Sequence, residues 1–183
     1  MCGICGIITR KNNHPETILR MMNEALYHRG PDDSGYYETT TSEFYIGLGH
    51  RRLSIIDLST GHQPMSNENG SIQIVFNGEI YNFNEIRNEL IKKGHKFITN
   101  SDTETIIHAY EEFGEACVNI LRGMFAFAIW DKNLQQLFLA RDRFGVKPLF
   151  YYHGNDTILF GSEIKSILKY PGFDFSFNKN SLP

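Results

Sequence analysis

The chain has 183 residues, of which 41% are hydrophobic and 21% charged, and its formal net charge at pH 7 is −3. A chain of this length suits one globular domain, which buries about 70% of the surface that the unfolded chain exposes. The weakly acidic balance, with no basic run among the aromatic residues of the sequence, argues against a nucleic-acid partner.

Membrane insertion and export are not expected either. The longest apolar stretches, such as 124–130, are too short to cross a bilayer. Arg10 and Lys11 interrupt the N-terminal apolar segment too early for a signal peptide. Three cysteines without an export signal do not predict a disulfide framework. We therefore expect a cytoplasmic protein with neither a membrane nor a nucleic-acid partner.

The first third of the chain predicts two strands and a helix. Residues 3–10 (GICGIITR) predict a short apolar strand. Pro15 suits the first position of a helix whose apolar stripe extends to Leu26. Residues 44–56 predict a second strand, and its two glycines indicate a close approach of another group to the backbone.

The middle of the chain predicts a β-rich run and two helices. The run 72–82 contains Asn77-Gly78, a dipeptide typical of a hairpin turn. Asn84 can cap a helix that extends through Lys93 and stops at the following glycine. Ser101 and Glu104 have the spacing of a capping box at the start of a second helix.

The last third of the chain is mostly β-prone. Residues 162–170 predict a final helix, and the polar tail 171–183 predicts the start of a linker, so that the domain spans 2–170. Strands, then helices, then strands indicate an α+β fold with layered sheets. Four strand candidates lie between residue 122 and the final helix: MFAFAIWD, QLFLARD, PLFYYHG and TILFGS.

The N-terminal cysteines admit three interpretations. A redox Cys-x-x-Cys pair normally begins a helix, whereas Cys2 and Cys5 lie in a β-prone segment. A zinc site would need two more ligands in a short cluster. Cys5 and Cys117 are therefore expected to be buried apolar side chains. Removal of Met1 would instead place a free α-amine beside the Cys2 thiol, so that one residue supplies nucleophile and base.

Seven ordered sequence blocks carry a resemblance to a known family. Together they resemble the class II glutamine amidotransferase domain of glutamine-hydrolysing asparagine synthetases, over residue 2 to about 170. The blocks are Met1-Cys2-Gly3-Ile4-x-Gly6, His28-Arg29-Gly30-Pro31-Asp32, Arg52-Leu53-Ser54-Ile55-Ile56-Asp57, Asn77-Gly78-Glu79-Ile80-Tyr81-Asn82, Gly123-Met124-Phe125-Ala126-Phe127-Ala128, Arg141-Asp142-x-x-Gly145 with Pro148-Leu149, and Ser162-Glu163-x-Lys165.

The resemblance implies a fold and a reaction. The fold is the N-terminal-nucleophile hydrolase fold, with two antiparallel sheets between helix layers. The reaction hydrolyses L-glutamine to glutamate and ammonia through a Cys2 thioester. The ammonia would pass to a C-terminal ATP-dependent synthetase domain that amidates aspartate. Neither a G-x-x-x-x-G-K-[ST] motif nor the family's pyrophosphate loop occurs in this sequence. ATP and Mg²⁺ are therefore expected only in the synthetase domain, and this chain alone should make no asparagine.

The resemblance also assigns residues to the reaction. Cys2 would be the nucleophile, and the Asn77 side-chain amide and the Gly78 backbone N–H would form the oxyanion hole. Arg52 would bind the α-carboxylate of glutamine through its two-pronged guanidinium. Glu79 and Asp102 would bind the α-ammonium group. Backbone groups of a short segment would line the same pocket: Leu53, Ser54, Ile55 and Ile56. No metal or cofactor is expected in this domain.

Other residues of the blocks are expected to be structural. Arg51 should point away from Arg52, because consecutive side chains of a strand face opposite sides. Arg141 and Asp142 are expected to form a buried pair. His28, Arg29 and Asp32 are expected to shape the loop around the nucleophile.

Three questions stay open at this stage. The chain could be a catalytically silent module that binds glutamine and regulates a partner, and homodimerisation is not decided by the sequence. The HRGPD block favours the asparagine-synthetase type over amidotransferases that act on sugar phosphates or phosphoribosyl pyrophosphate. Relatives that amidate sugars or peptides share the block, so the ammonia acceptor stays open.

Overall fold

Nine strands and four helices make up the part of the chain, residues 1–10, 14–53 and 61–173, that the computed structural model describes. The strands are β1 (Gly3–Arg10), β2 (Asp33–Thr40), β3 (Phe44–Arg52), β4 (Met65–Ser66), β5 (Ile72–Ile80), β6 (Gly123–Asp131), β7 (Gln136–Arg141), β8 (Phe150–His153) and β9 (Thr157–Gly161). The helices are α1 (Pro15–Glu24), α2 (Phe83–Lys92), α3 (Asp102–Phe113) and α4 (Ile164–Ile167), with 3₁₀ turns at Tyr27–Arg29 and Gly114–Asn119.

The strands form two antiparallel sheets. The first sheet has the order β2-β3-β1-β9-β8, and the second has the order β4-β5-β6-β7. The chain thus returns to the first sheet with its last two strands, which places β9 next to β1. None of the described helices is long and apolar enough to cross a membrane.

Side-chain alternation along β1 and β5 produces three apolar layers. Ile4 of β1 and Val75 of β5 belong to the cluster between the two sheets. Ile7, on the opposite face of β1, packs in a second cluster with α1. Phe76, on the opposite face of β5, packs in a third cluster with α2 and α3. Helices therefore cover both outer faces, and the expected α+β sandwich of sheets between helices is confirmed.

Local details differ from the sequence predictions at Asn77-Gly78, at Glu104 and in the last helix. The β5 strand runs without interruption through Asn77 and Gly78, so the hairpin interpretation of this dipeptide is wrong. Ser101 does cap α3, but the Glu104 carboxylate accepts hydrogen bonds from the Ile98 and Thr99 backbone N–H groups instead of completing a capping box. The last helix, α4, is shorter than the predicted 162–170.

The bounds of several other elements follow the pattern closely, but β2 and β4 were not predicted, and β3 ends at Arg52 instead of continuing to residue 56. The predicted first strand coincides with β1, and α1 begins at Pro15 as expected. The α2 helix begins at Phe83, with Asn82 rather than Asn84 in the capping position. Most of the predicted linker segment, 174–183, lies outside the described residues.

Candidate active site

The inter-sheet face of three strands supplies the candidate residues. Cys2 directly precedes β1. It is two residues from Ile4 and so shares the face of Ile4, whose side chain lies between the sheets. On β3, Arg52 has the parity of Leu48, which belongs to the same inter-sheet cluster. Asn77 of β5 has the parity of Val75 in that cluster. Because strand side chains alternate, all three are directed to one side of their sheets.

These residues line a cavity of about 580 Å³ at one end of the sandwich. It contains all the candidate residues that the structure describes: Cys2, Arg52, Leu53, Asn77, Gly78, Glu79 and Asp102. The remaining candidates, Ser54, Ile55 and Ile56, lie outside the described residues. The cavity is also lined by Met1, His50, Gly61, Gln63, Phe76, Asn100, Ser101, Thr103, Met124 and Lys147.

Cys2 differs from the other two cysteines in accessibility. Its side chain is half-buried, and Sγ lies 4.0 Å from the Leu53 carbonyl oxygen. Cys5 is fully buried against Asn23, and burial raises the pKa of its thiol far above the usual range. Burial also raises the pKa of the Cys117 thiol to about 12. Of the three thiols, Cys2 is therefore the one that a ligand in the cavity can reach.

The backbone of Cys2 is held by Arg29 from the 3₁₀ turn. Arg29 Nε donates a 3.0 Å hydrogen bond to the Cys2 carbonyl oxygen, and its Nη1 pairs with Glu163 at 3.0 Å. His28 Nε2 and Lys165 Nζ contact the same carboxylate at 2.9 and 3.1 Å. Burial favours a higher pKa for the Glu163 carboxyl, but the hydrogen bonds from Arg29, His28 and Lys165 lower it to about 2. This network fixes the main chain on which the nucleophile candidate sits.

Asn77 carries a buried donor that the described protein leaves unsatisfied. The side chain is 2% exposed, and its Nδ2 has no hydrogen-bond partner among the described residues. Such a buried polar group costs about 1–3 kcal/mol unless a ligand satisfies it. At Gly78, a Cβ would lie 2.3 Å from the Met124 carbonyl oxygen of β6, so only glycine fits next to Asn77.

Asp102 connects the start of α3 to the end of β5. Its Oδ2 accepts a 3.0 Å hydrogen bond from the Ile80 backbone N–H. Burial raises the pKa of the Asp102 carboxyl, partly offset by the backbone hydrogen bonds from Ile80 and Thr103, and the nearby Glu79 raises it further. The cavity therefore has an acidic end, formed by Glu79 and Asp102, and a cationic group, Arg52, on the opposite sheet.

His50 is a cavity residue that the sequence analysis did not identify. It is 1% exposed, and burial is the main cause that lowers its pKa to about 4, so the ring is neutral at pH 7. Its Nε2 is buried without a hydrogen-bond partner in the described part of the chain. Strand alternation could have identified it, because His50 lies two residues before Arg52 and therefore on the same face of β3.

A family model described as "Glutamine amidotransferase domain" matches residues 1–183. The chain belongs to the glutamine amidotransferase family. It is 46% identical over 175 residues to "Asparagine synthetase [glutamine-hydrolyzing] 1" of Bacillus subtilis, which covers 92% of this chain and 27% of that protein. It is 40% identical over 182 residues to "Amidase chry2" of Gibberella zeae, with 93% and 27% covered. The chain thus spans about a quarter of the length of these relatives.

Solved structures agree with this fold assignment. The glutamine phosphoribosylpyrophosphate amidotransferase of B. subtilis, complexed with ADP and GMP, is similar with a TM-score of 0.72. The likeness covers 91% of this chain and 43% of that one, at 22% identity. At this identity it bears on the fold alone, and it confirms the expected N-terminal-nucleophile architecture.

Arg51 and Arg52 are neighbours on β3, but their side chains lie on opposite faces of the sheet. Arg51 points away from Arg52, as predicted, and contacts α1: its Nε donates to the Asn23 carbonyl oxygen at 3.2 Å, and its Nη2 pairs with Glu24. Consecutive residues of β3 thus serve opposite faces. One supports α1, and the other lines the cavity.

The expected pairing of Arg141 with Asp142 is wrong for this domain. Arg141 donates to the carbonyl oxygens of Gly145 and Lys147. The Asp142 carboxylate instead accepts backbone hydrogen bonds from Phe125, Val146 and Lys147, which lower its pKa although burial favours a higher one. These bonds fix the loop that brings Lys147 to the cavity, where its Nζ lies 3.7 Å from Met1 Sδ.

The Cys-x-x-Cys interpretation does not fit the amidotransferase fold. Cys2 lies at the inter-sheet cavity, whereas Cys5 faces α1 on the other side of β1. Residues three apart in a strand are separated by about 10 Å. That separation is too long for a disulfide or for two sulfur ligands of one zinc ion.

Proposed function

We propose that this domain hydrolyses the side-chain amide of L-glutamine, with Cys2 as nucleophile after removal of Met1. The observation that carries the proposal is the buried Nδ2 of Asn77, which has no hydrogen-bond partner among the described residues and lies in the cavity that also contains Cys2. A donor held in this way is preorganised for an oxyanion, and its cost is recovered only when a ligand oxygen accepts from it.

The covalent steps follow from these groups. The Cys2 thiol transfers its proton to its own α-amine while Sγ attacks the amide carbon of glutamine. Asn77 Nδ2 and the Gly78 N–H stabilise the negative oxygen of the tetrahedral intermediate. The C–N bond then breaks, and ammonia leaves with the proton held by the amine. Water attacks the resulting thioester, which releases glutamate and restores the thiol.

The charges of the cavity suit a zwitterionic amino acid. Arg52 can bind the α-carboxylate with two parallel hydrogen bonds. Glu79 and Asp102 supply carboxylates for the α-ammonium group, and the backbone around Leu53 completes the wall. The predicted segment 54–56 would continue that wall. We include Ser54, Ile55 and Ile56 in the proposed glutamine site on the resemblance alone.

In a longer protein, the ammonia would serve a synthetase domain. Relatives named as glutamine-hydrolysing asparagine synthetases extend well beyond the matched segment, which supports a C-terminal ATP-dependent domain that amidates aspartate. ATP and Mg²⁺ would belong to that domain, and the glutamine site would need no cofactor. Relatives that amidate sugars or peptides share the HRGPD block at residues 28–32, so the aspartate acceptor rests on the named synthetase relatives.

The proposal is tested by measuring products from the purified 183-residue chain. With glutamine, we expect equal amounts of glutamate and ammonia; adding aspartate and ATP should yield no asparagine. Cys2→Ala should abolish turnover, whereas the matched Cys117→Ala control should retain it. Tight glutamine binding without turnover by protein whose N-terminal residue is Cys2 would overturn the enzyme proposal in favour of a regulatory module.

A further inference from the structure

A second constellation of functional groups lies outside the glutamine cavity, where α2 and α3 meet. His95 follows the C-terminal turn of α2, and His108 and Glu111 lie one turn apart on α3. These are the residues whose nitrogen and oxygen atoms form a candidate metal-binding group within the described chain. His95 is 13 residues from His108 and 16 residues from Glu111, so sequence spacing alone does not reveal the site.

The three donor atoms converge on one point. His95 Nδ1 lies 3.3 Å from His108 Nδ1 and 3.6 Å from Glu111 Oε2, and 2.7 Å separates His108 Nδ1 from that oxygen. A point equidistant from three atoms so arranged is about 1.9 Å from each, close to the ~2.0–2.1 Å of zinc bonds to imidazole and carboxylate. An ion slightly above their plane would reach all three.

Hydrogen bonding alone satisfies this arrangement poorly. If His108 Nδ1–H donates to Glu111, the same nitrogen cannot accept a proton from His95 Nδ1. His95 Nδ1, His108 Nδ1 and Glu111 Oε2 then lie close together with one proton among them, so at least one lone pair faces another without a donor. A cation in place of that proton gives each of the three lone pairs its own bond.

Hydrogen-bond partners orient His95 and Glu111, and a carboxylate lies near the outer nitrogen of His108. Glu112 Oε2 lies 3.3 Å from Nε2 of His95, and Glu104 Oε1 lies 3.8 Å from Nε2 of His108. Asn67 Nδ2 donates to the second oxygen of Glu111 at 2.8 Å. Carboxylates behind metal-binding histidines are the usual means of fixing ring orientation and raising ligand basicity.

We propose that His95, His108 and Glu111 bind a divalent transition-metal ion, with Zn²⁺ the best match. Two imidazoles and one carboxylate favour zinc over Mg²⁺ or Ca²⁺, which prefer oxygen ligands. His108 is 2% exposed, whereas His95 and Glu111 reach a surface groove, also lined by Glu68 and Lys96, that leaves a fourth position open to water.

Bound metal would join the loop after α2 to the middle of α3. That loop continues through residues 98–99, which Glu104 holds by backbone hydrogen bonds, to Ser101 and Asp102 at the glutamine cavity. The site therefore stabilises the segment that carries one wall of the cavity. Metal binding should raise Tm, because the assembled cluster exists only in the folded chain.

The test uses the 183-residue chain with Cys2→Ala, which removes the accessible thiol as a competing ligand. After chelator treatment and dialysis, Zn²⁺ is titrated against a chromophoric chelator, and Co²⁺ spectra and Tm are recorded. We expect one ion per chain, four-coordinate Co²⁺ bands without thiolate charge transfer, and a higher Tm.

Variants decide whether the named residues hold the ion. His95→Gln and Glu111→Gln, both at partly exposed positions, should each weaken Zn²⁺ binding at least about tenfold. The matched controls His153→Gln and Glu85→Gln should bind as tightly as the parent. Stoichiometric binding that survives both ligand substitutions, or the absence of binding at micromolar Zn²⁺, would overturn the proposal. Neither result depends on glutamine hydrolysis.

Discussion

The Nε of Arg29 donates a hydrogen bond to the backbone carbonyl oxygen of Cys2, and the same guanidinium pairs with Glu163 near the end of the described chain. Arg29 is almost completely buried, so this contact is shielded from water. The residue proposed as nucleophile is thus positioned through its main chain, which leaves its thiol and the amine freed by Met1 removal available for chemistry.

The variant Arg29→Lys tests whether Arg29 positions Cys2 for catalysis as well as stabilising the fold. Lysine retains a positive charge for Glu163 but lacks the Nε that holds the Cys2 carbonyl, so we expect kcat to fall roughly tenfold with little change in KM. Unfolding in urea should show a smaller loss for Arg29→Lys than for Arg29→Ala, because alanine removes the buried cation that pairs with Glu163 and leaves it only His28 and Lys165. Arg122→Lys, at an exposed position, serves as the control. Unchanged kcat in Arg29→Lys would refute the positioning role.

Asn77→Ala should remove most of the rate enhancement while the protein stays folded. Loss of one oxyanion donor typically lowers kcat about 100- to 1000-fold. The unfolding free energy should change little, since Nδ2 has no partner in the described chain to lose. Asn77→Asp, of similar size but without the donor, should be equally impaired. Steady-state kinetics with glutamine would contradict this assignment if either variant mainly raised KM.

Asp102→Asn should impair glutamine binding without destabilising the fold. The neutral amide loses the attraction to the α-ammonium, and we expect KM to rise roughly tenfold or more. Burial raises the pKa of Asp102 in the folded chain, so the native state holds this proton more tightly than the unfolded state does. Stability therefore falls as pH rises through this raised pKa, and the variant should unfold at equal or higher urea near pH 7.

The raised pKa of Asp102 also predicts that kcat/KM falls on the acid side of its pH profile. Because the pKa of Asp102 is raised, kcat/KM should begin to fall at a higher pH than for an ordinary aspartate. Asp102→Asn should lack this limb. Acid limbs that coincide in the wild type and in Asp102→Asn would show that the group does not bind the ammonium.

His50 should make the fold sensitive to mild acid. Burial lowers its pKa to about 4 from 6.5, so between these values the unfolded chain binds a proton that the folded chain does not. Stability is therefore lost as pH falls through this window, by roughly 2 kcal/mol between about pH 7.5 and pH 5. His50→Gln should have a flatter dependence in urea unfolding. Equal slopes for both proteins would show that His50 does not cause the acid sensitivity.

Strand alternation made much of the site predictable. The opposite directions of Arg51 and Arg52 follow from the period of two, and the structure confirms that Arg51 points to the helix side. The same rule applied to His50 would have placed it in the cavity, but a lone histidine in an apolar strand gave no reason to apply it.

Long-range pairing explains the failures. Asn77-Gly78 has the local propensity of a turn, yet β6 pairs along the whole of β5, and Gly78 is needed because Met124 lies against it. Glu104 does not complete the capping box, because its carboxylate accepts hydrogen bonds from two backbone N–H groups of the preceding loop. Partners of this kind are invisible in a window of a few residues.

Treatment of the purified chain with a glutamine-like diazoketone, followed by intact-mass measurement and peptide mapping, tests the central claim most directly. We expect one adduct, on a Cys2 that is the N-terminal residue, and we expect excess glutamine to prevent it. Chain that retains Met1, or an N-terminal tag, should stay unmodified. An adduct on Cys5 or Cys117, or none on correctly processed Cys2, would contradict the account.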